Sequence, residues 1–313
     1  MTAAAAAVTA RAPAKINLSL RVGPLRADGY HSLATVFHAV HLDDLVTATP
    51  VDGGAVTVAV ADEHGDPVPG VPADESNLAV RAALRLREAA GLPEAGVHLA
   101  VRKSIPVAGG MAGGSADAAA SLVACAKLWE TGSTREHLAS LAALLGADVP
   151  FALLGGCAVG TGRGEHLEPL SVRAALHWVL AWSDTGLSTP SVFSVLDRLR
   201  ADRAVPPPQI DPPQIDPRLV TALERGLVGA VGMLVDNDLE EAALELRPTL
   251  ATPLAAGRQA GARAGLVSGS GPTLVFLVDA QRAATVARAV AREPGVAGVR
   301  HVTGPAPGAA LVA

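Results

Sequence analysis

Several features typical of other protein classes are scarce or absent in this sequence. It contains only two cysteines, Cys125 and Cys157, and neither lies in the paired spacing of a zinc site or a disulfide framework. The net charge is −5 and no run of lysine or arginine occurs, which argues against nucleic acid as a partner. The nine histidines are scattered, so we predict no metal site built from histidine, cysteine and carboxylate.

Long hydrophobic runs are also lacking. The longest weakly charged stretch, residues 105–126, contains four glycines and Asp117, which makes it a poor membrane span. The alanine-rich start lacks the basic and apolar regions of a signal peptide. Because half of the 313 residues are hydrophobic, the chain has ample material for a core. We therefore expect a soluble, cytoplasmic protein with no membrane partner.

Lysines and aromatic residues are rare. Only three of the 25 basic residues are lysines, namely Lys15, Lys103 and Lys127, and only 3% of the residues are aromatic. Because this chain uses arginine wherever any cation will serve, a lysine is a better functional candidate here than usual. The chain has one tyrosine, Tyr30, and four phenylalanines.

The order of the predicted elements indicates an α+β protein. Residues 15–22 alternate between polar and apolar, which predicts a half-buried strand with Lys15 and Asn17 on its polar face. Further strands are predicted within 46–60 and at 97–101, 157–160, 179–182, 266–268, 273–278 and 296–302, and helices at 77–90, 115–130, 135–145, 237–246 and 280–292. Because no regular βαβ rhythm appears, we predict mixed sheets with helices in two domains, 1–164 and 165–313.

A tandem repeat interrupts the second half of the chain. The sequence Pro-Pro-Gln-Ile-Asp occurs at 207–211 and again at 212–216. Its proline content predicts a surface loop enlarged by a small duplication, to which we assign no chemistry.

The glycine-rich segment 106–117 is the most informative stretch of the chain. Its sequence is Pro-Val-Ala-Gly-Gly-Met-Ala-Gly-Gly-Ser-Ala-Asp, between a predicted strand and a predicted helix. Glycines let backbone N–H groups converge on an anion, and a helix N-terminus adds a partial positive charge. The segment therefore predicts a phosphate-binding loop, with a closely packed structural loop as the alternative.

Two common phosphate motifs do not fit this segment. A P-loop requires lysine where Ser115 stands, and a dinucleotide fingerprint requires glycine where Ala108 stands. The fingerprint also requires a second strand that ends in an acid about 20 residues further on. Residues 128–130 instead belong to the end of a predicted helix.

The glycine-rich segment resembles the phosphate loop of the GHMP kinases, in which glycines precede a serine-containing helix start. Gly-Ala-Asp-Val-Pro-Phe at 146–151 resembles the catalytic segment of that family, and Ser-Gly-Ser-Gly-Pro-Thr at 268–273 resembles its third motif. Pro-Ala-Lys-Ile-Asn-Leu at 13–18 and Asp-Gly-Tyr-His at 28–31 resemble one branch of the family, whose substrate carries a cytidylyl group. Segments 187–193 and 237–240 also match this branch in order, so the resemblance covers nearly the whole chain.

Three alanines depart from the family pattern. Ala108, Ala112 and Ala116 stand where Gly, Gly and Ser are usual. Alanine is small enough for the loop to form, but it restricts φ at positions 108 and 112. Because Ala116 lacks a hydroxyl, any side-chain contact with Mg²⁺ or phosphate at this helix start would come from Ser115.

The resemblance implies the two-domain GHMP kinase fold, with a ferredoxin-like second domain and the active site in the cleft between the domains. It implies ATP-dependent phosphorylation of the 2-hydroxyl of a cytidylyl-bearing substrate in non-mevalonate isoprenoid precursor synthesis, with ATP and Mg²⁺ required. It implies small-molecule partners and a monomer or weak homodimer. The alternatives are a GHMP kinase of the homoserine or mevalonate type, and a nucleotide-binding protein without catalysis.

The resemblance also assigns the site residues. Asp148 would be the general base and Lys15 would stabilise developing negative charge, the alternatives being a helix N-cap and a solvated strand lysine. The phosphates of ATP would be bound by Pro106, Val107, Ala108, Gly109, Gly110, Met111, Ala112, Gly113, Gly114, Ser115 and Ala116, with Ser115 also a candidate Mg²⁺ contact. The substrate would contact Asn17, Tyr30, His31, Thr189 and Phe193. Of these, Tyr30 and Phe193 would sandwich the cytosine and His31 would hydrogen-bond its polar edge.

Overall fold

The computed structural model describes residues 6–107, 109–203 and 211–312. Ala108 and residues 207–210 of the predicted repeat lie outside the described residues. The strands are β1 (Val8–Leu25), β2 (His31–Val51), β3 (Val56–Asp62), β4 (Gly96–Lys103), β5 (Cys157–Gly162), β6 (His166–Leu170), β7 (Leu176–Trp182), β8 (Asp236–Asn237), β9 (Ala264–Val267), β10 (Leu274–Val278), β11 (Gly298–Gly304) and β12 (Ala310–Leu311). The α-helices are α1 (Leu78–Ala89), α2 (Gly113–Leu128), α3 (Arg135–Ala143), α4 (Val149–Leu154), α5 (Thr189–Asp202), α6 (Pro217–Arg225), α7 (Val228–Leu234), α8 (Glu240–Leu246), α9 (Ala251–Gln259) and α10 (Ala283–Val290).

The first sheet has the order β12-β1-β2-β4-β3, with β5 beside β2, β6 beside β5 and β8 beside β1. The long antiparallel pair of β1 and β2 forms its centre. Three of its strands, β6, β8 and β12, come from beyond residue 164. The first sheet therefore draws on both halves of the chain, and the division into 1–164 and 165–313 stays a prediction.

Strand β1 is buried on both faces, so the prediction that it is half-buried is wrong. Lys15 and Asn17 on its polar face are only 9% and 2% exposed. The backbone N–H of Lys15 donates to the Met111 carbonyl, and that of Asn17 donates to the Ser268 hydroxyl. Sequence alternation shows that two faces differ in polarity, but not that distant segments cover the polar one.

Helix α2 carries the glycine-rich segment into the core. It packs against β1, β2 and α1, and its alanines let the helix approach these neighbours closely. Ala116, Ala118, Ala119 and Ala120 are completely buried. This close packing fixes the N-terminus of α2 at the end of β4, where the predicted phosphate loop lies.

The second sheet is antiparallel, with the order β11-β7-β10-β9. One face packs with apolar residues of α5, α8, α9 and α10, and the other joins the core of the first sheet. Asn237, predicted as helical, lies in β8, because its side-chain amide donates to the carbonyls of Val267 and Gly269. Residues 280–282, also predicted as helical, form a 3-10 turn before α10. Strand β12, after β11, was not predicted from the sequence.

The described structure contains neither a membrane-spanning helix nor a metal cluster made by protein side chains alone. None of its helices is both long and apolar enough to cross a bilayer. Within the same residues, no group of three or more His, Cys, Asp and Glu side chains could hold a metal ion. Both cysteines are buried, and burial raises the pKa of each thiol to about 12, so neither is a reactive nucleophile.

Candidate active site

A cleft of about 570 Å³ gathers most of the predicted site residues. Lys15 and Asn17 come from β1, Asp148 precedes α4, and Thr189 and Phe193 come from α5. Its other lining residues include Pro106, Val107, Gly109, Gly110, Met111, Ala112, Gly113, Gly114, Ser115, Gly269 and Ser270. Segments far apart in sequence therefore converge on one space, which is what a reaction between two bound molecules requires.

A larger hollow of about 1000 Å³ lies elsewhere, between α5 and the segment 213–218. Its four arginines each lie against a carboxylate of the protein. The smaller cleft instead combines a glycine-rich loop with a lysine and an aspartate, so it is the better candidate for chemistry.

The glycine-rich loop ends at a helix start that lacks a side-chain cap. Ala112 is the N-cap residue of α2 and makes no side-chain capping bond, so the first N–H groups of the helix are free to bind an anion. Gly110 has a φ of +74°, and an added Cβ would lie 2.9 Å from the Gly271 carbonyl oxygen. The loop is therefore pressed against the 268–273 turn, which requires glycine at position 110.

Ala112 is strained. Its φ of 59° and ψ of 35° place it in the left-handed region, where a residue with a Cβ is disfavoured by about 1–2 kcal/mol. Family resemblance places glycine at this position, and glycine adopts this conformation without cost. The alanine is therefore accommodated at the expense of backbone strain beside the free N–H groups of α2.

Lys15 and Asp148 face each other across the cleft. The distance from Lys15 Nζ to Asp148 Oδ2 is 3.9 Å. Asp148 occupies the N-cap position of α4, yet its side chain makes no capping hydrogen bond within the described structure. The side-chain capping bond is therefore absent from the described structure, and the carboxylate faces Lys15 instead. Nor is Lys15 a solvated strand lysine, because it is almost completely buried.

Asn17 and Phe37 hold the Lys15 ammonium in place. Lys15 Nζ donates to Asn17 Oδ1 at 2.9 Å and lies 5.4 Å from the centre of the Phe37 ring. Asn17 Nδ2 donates to Thr35 Oγ1 at 2.7 Å, which fixes the orientation of the amide. These contacts aim the ammonium at the cleft before any ligand arrives.

Lys103, Asp44 and Asp117 form a buried cluster beneath the start of α2. Lys103 Nζ donates to Asp44 Oδ2, and also to Asp117 Oδ2 at 2.7 Å. Asp44 Oδ1 accepts the backbone N–H groups of the two residues after Lys103, at 2.6 and 2.8 Å. A Cβ added at Gly113 would lie 3.0 Å from Lys103 Nζ. The cluster therefore joins the two ends of the phosphate loop.

The protonation of this cluster follows from its burial. Burial raises the pKa of Asp117 to about 8, although the Lys103 ammonium opposes the shift. Burial alone would lower the pKa of Lys103, but the Asp117 and Asp44 carboxylates raise it above its ordinary value. Asp117 Oδ1 has no hydrogen-bond partner among the described residues. One ammonium thus serves two carboxyl groups, and burial raises the pKa of Asp117 against the attraction of that ammonium.

The predicted substrate residues lie at the other end of the cleft or just behind it. The Thr189 and Ser270 hydroxyl oxygens are 2.8 Å apart. The rings of His31 and Phe193 stack with centroids 5.2 Å apart. Phe193 lines the cleft, whereas His31 is buried and does not. The ring nitrogens of His31 face protein acceptors, so its hydrogen bond to a substrate stays a prediction.

Tyr30 lies beside the cleft and is 53% exposed. The Arg163 guanidinium covers one face of its ring, 3.8 Å from the centre, and Arg163 itself lines the cleft. Arg163 Nη2 also lies 3.7 Å from Asp28 Oδ2. Tyr30 is thus held at the mouth of the cleft by a cation that sequence reasoning missed.

Sequence reasoning also missed Lys103, Asp44, Thr35 and Phe37. For Lys103 a signal existed, since lysine is rare in this chain and Lys103 lies three residues before the glycine-rich segment. Asp44 and Thr35 lie on β2 and reach the site only through strand pairing. Arg163 is one of many arginines, and its role depends on the turn between β5 and β6.

Comparisons with known proteins agree with this geometry. The family models for the GHMP kinases N terminal domain and the GHMP kinases C terminal match residues 77–156 and 219–297. The chain is 53% identical over 310 residues to the 4-diphosphocytidyl-2-C-methyl-D-erythritol kinase of Thermobifida fusca, covering 97% of this chain and 98% of that protein. It is 49% identical over 307 residues to the kinase of the same name from Streptomyces coelicolor, covering 97% and 99%.

Solved structures show the same relationship. A crystal structure of 4-(cytidine 5'-diphospho)-2C-methyl-D-erythritol kinase matches with a TM-score of 0.74 and 33% identity, over 94% of this chain and 98% of that one. A homoserine kinase from Cytophaga hutchinsonii matches with a TM-score of 0.76 over 100% and 98%, but at 20% identity it shows the shared fold alone. The predicted GHMP kinase fold is confirmed. The chain belongs to the 4-diphosphocytidyl-2-C-methyl-D-erythritol kinase family, a branch of the GHMP kinases.

Proposed function

We propose that this chain transfers the γ-phosphoryl group of ATP to the 2-hydroxyl of 4-diphosphocytidyl-2-C-methyl-D-erythritol, giving the 2-phosphate and ADP. The reaction would be a cytoplasmic step of non-mevalonate isoprenoid precursor synthesis, carried out by a monomer or weak homodimer. The observation that carries the proposal is the uncapped Asp148 carboxylate, 3.9 Å from the Lys15 ammonium in a cleft with a phosphate loop. Family membership supports the choice of substrate.

Asp148 and Lys15 divide the chemistry between them. Asp148 takes the proton from the substrate hydroxyl as that oxygen attacks the γ-phosphorus, a role typically worth about 10²–10⁴ in rate. Lys15 stabilises the negative charge that develops on the oxygens in the transition state. Because Lys15 is buried and held by Asn17, little reorganisation is needed when the charge appears.

The phosphate loop binds the nucleotide through backbone N–H groups at the start of α2. Among the described residues no group of three or more His, Cys, Asp and Glu side chains could hold a metal ion, in keeping with Mg²⁺ held mainly by phosphate oxygens. Ser115 is the hydroxyl that we assign to it. When bound, Mg²⁺ neutralises charge on the transferred phosphoryl group. Lys103 and Asp117 also line the cleft at the base of the loop, where they are hydrogen-bonded to each other.

The far end of the cleft binds the cytidylyl group in this proposal. Phe193 offers a ring to one face of the cytosine, and Tyr30 offers a second ring at the mouth. Thr189 and Asn17 supply polar contacts toward the sugar alcohol. Arg163 places a positive charge where the diphosphate of the substrate would lie, which favours an anionic substrate over homoserine.

An ADP-release assay tests the proposal with 4-diphosphocytidyl-2-C-methyl-D-erythritol, homoserine and mevalonate as acceptors. We expect turnover of the cytidylyl substrate alone; turnover of homoserine without it would overturn the choice of substrate.

The Asp148→Asn variant tests the assigned base. We expect turnover to fall by about 10²–10⁴ while nucleotide binding survives. Asp202→Asn is the matched control, because Asp202 is exposed on α5 and, among the residues that the structure describes, is paired only with Arg198. Unchanged turnover in Asp148→Asn would remove this residue from the mechanism, and loss of ATP binding would assign it to the fold.

A further inference from the structure

The segment 305–312, which we call the strap, connects helix α4 to strand β1. Its backbone runs past the last turn of α4, where Pro307 forms an isolated bridge with Gly155, and it then pairs with β1 as β12. The family-model matches cover 77–156 and 219–297, so the strap lies beyond both. All eight strap residues are described, and none of them lines the cleft. Any effect of the strap on the reaction is therefore exerted through α4 or β1.

Helix α4, which begins directly after Asp148, depends on the strap at its other end. The last carbonyls of a helix lack partners within it. Here the Ala152 carbonyl accepts the Ala309 N–H at 2.9 Å. The Leu153 carbonyl accepts a hydrogen bond from the Arg135 guanidinium, which also donates to the Ala309 carbonyl at 3.4 Å. The strap and Arg135 therefore hold the end of a helix that has only six residues and carries Asp148 at its start.

The strap approaches α4 so closely that position 308 requires glycine. A Cβ added to Gly308 would overlap the Leu153 carbonyl oxygen and would lie 2.5 Å from the Leu154 carbonyl carbon. These are backbone atoms, which cannot turn aside as the end of a flexible side chain can. The φ of Gly308 lies outside the left-handed region, so the contact and not the backbone conformation excludes a larger residue.

The strap also holds the residue that lies opposite Lys15. Ala39 on β2 pairs with Lys15 on β1. Its carbonyl accepts the Ala306 N–H at 2.9 Å, and its own N–H donates to the Gly156 carbonyl at 2.9 Å. Gly156 follows α4 and in turn donates its N–H to the Ala306 carbonyl at 2.7 Å. Three backbone hydrogen bonds thus join the strap, the end of α4 and the strand partner of Lys15.

Side-chain packing joins the same parts of the molecule. Ala306 belongs to a small buried cluster with Phe37, Ala39 and Phe151. The rings of Phe37 and Phe151 have centroids 5.0 Å apart, and the Lys15 ammonium lies 5.4 Å from the centre of the Phe37 ring. Because close-packed interiors transmit strain, a displaced strap would disturb the surroundings of both α4 and Lys15.

We propose that the strap sets the separation of the Asp148 carboxylate and the Lys15 ammonium, with Gly308 as its positioning residue. The strap binds the last turn of α4 directly and reaches Lys15 through Ala39, so it fixes the two side chains relative to each other. A displacement of about 1 Å in a reacting group can lower the rate about 100-fold. This inference rests on the proposed function, which assigns both side chains to the reaction.

Steady-state kinetics of Gly308→Ala with ATP and 4-diphosphocytidyl-2-C-methyl-D-erythritol test the proposal. We expect kcat to fall about 10- to 100-fold, because the added Cβ pushes the strap away from α4. Both KM values stay within about threefold, since the strap contributes no residue to the cleft in which the substrates bind. Gly229→Ala on α7 is the matched control and should leave kcat unchanged, because its added Cβ would lie 3.7 Å from an Arg263 guanidinium nitrogen, an ordinary contact.

Hydrogen exchange measured by mass spectrometry on the chain without substrates reports the coupling independently of activity. We expect Gly308→Ala to speed the exchange of amides in α4, while exchange in α2 stays at the wild-type rate. Should Gly308→Ala not fold, Arg135→Met is carried through both measurements, because Arg135 is exposed and the change removes only its hydrogen bonds to Leu153 and Ala309.

Three results would overturn the proposal. They are an unchanged kcat in a variant whose α4 exchanges faster, a rise in both KM values as large as the loss in kcat, and an equal gain of exchange in α2 and α4. The last would show that the substitution destabilises the whole fold. Lack of turnover by the wild-type chain would remove the proposed function, whereas faster exchange confined to α4 would still show that the strap holds this helix.

Discussion

Replacing Asp117 by asparagine removes the second carboxyl group from the buried Lys103 cluster. Asparagine has nearly the same shape, and Lys103 keeps Asp44, which is held by two backbone N–H groups. The change therefore leaves one ammonium with one carboxylate. We expect the substitution to change how the free energy of unfolding varies with pH.

The sign of that dependence follows from the pKa of Asp117, which burial raises from 3.8 to about 8. Between these values the folded chain holds one proton that the unfolded chain has released. The stability of the wild-type chain therefore falls as the pH rises from about 4 to about 8, by at most about 1.4 kcal/mol per pH unit from this group. Asparagine has no proton to release, so this contribution disappears in Asp117→Asn.

Urea unfolding of the two chains from about pH 5 to about pH 8 measures the effect. The difference between their free energies of unfolding isolates Asp117, because all other titrating groups are common to both. We expect Asp117→Asn to gain stability relative to wild type as the pH rises. Lys103→Met is the contrasting variant, since it leaves Asp44 buried without a cation and should cost about 3–5 kcal/mol.

Parallel stability curves for wild type and Asp117→Asn would refute this reasoning. They would mean that Asp117 is ionised in the folded chain at neutral pH, and that Lys103 stabilises both carboxylates. A wild-type chain that gains stability relative to Asp117→Asn as the pH rises would also refute it. That result would mean that the pKa of Asp117 is lowered in the folded chain, because a carboxylate with a lowered pKa gains stability as the pH rises.

Two further predictions concern the ends of the cleft. Phe193→Ala should raise the KM for the cytidylyl substrate by the equivalent of about 1–3 kcal/mol with a smaller change in the KM for ATP, as measured by ADP release; equal changes in both would place Phe193 in the core instead. Ala112→Gly should increase the free energy of unfolding by about 1 kcal/mol in a urea titration, because it relieves the strain of a left-handed alanine. Gly110→Ala should weaken ATP binding, because the added Cβ would meet the Gly271 carbonyl. A neutral Gly110→Ala would contradict the packing described for the loop.

Much of the local structure was predictable from sequence pattern. The helix predicted at 77–90 is found as α1, with Asn77 as its N-cap residue, and the glycine-rich segment does join a strand to a helix. The motif around Asp148 was also visible in the sequence. Such features depend on neighbouring residues, so a single chain segment contains the information needed to recognise them.

The errors in β1 and at Asn237 share one physical cause. The alternation in β1 correctly predicts a strand with one polar face. The burial of Lys15 and Asn17 on that face depends on Met111 and Ser268, which are distant in sequence. Asn237 was predicted to be helical, whereas its side-chain amide donates to the Val267 and Gly269 carbonyls. These partners are distant in sequence, so the local pattern does not reveal them. Strand β12 is too short to have a pattern of its own.

The sequence by itself determined the kinds of groups available for chemistry: a glycine-rich anion loop, a lysine on a strand and an aspartate after a glycine. Tertiary structure alone decided how they are used. It turned Asp148 away from its helix and toward Lys15, placed two carboxyl groups on Lys103, and paired His31 Nδ1 with the Gly23 carbonyl. The reason is that charge and hydrogen bonding act over a few ångströms in space, and only the packing of distant segments sets those distances.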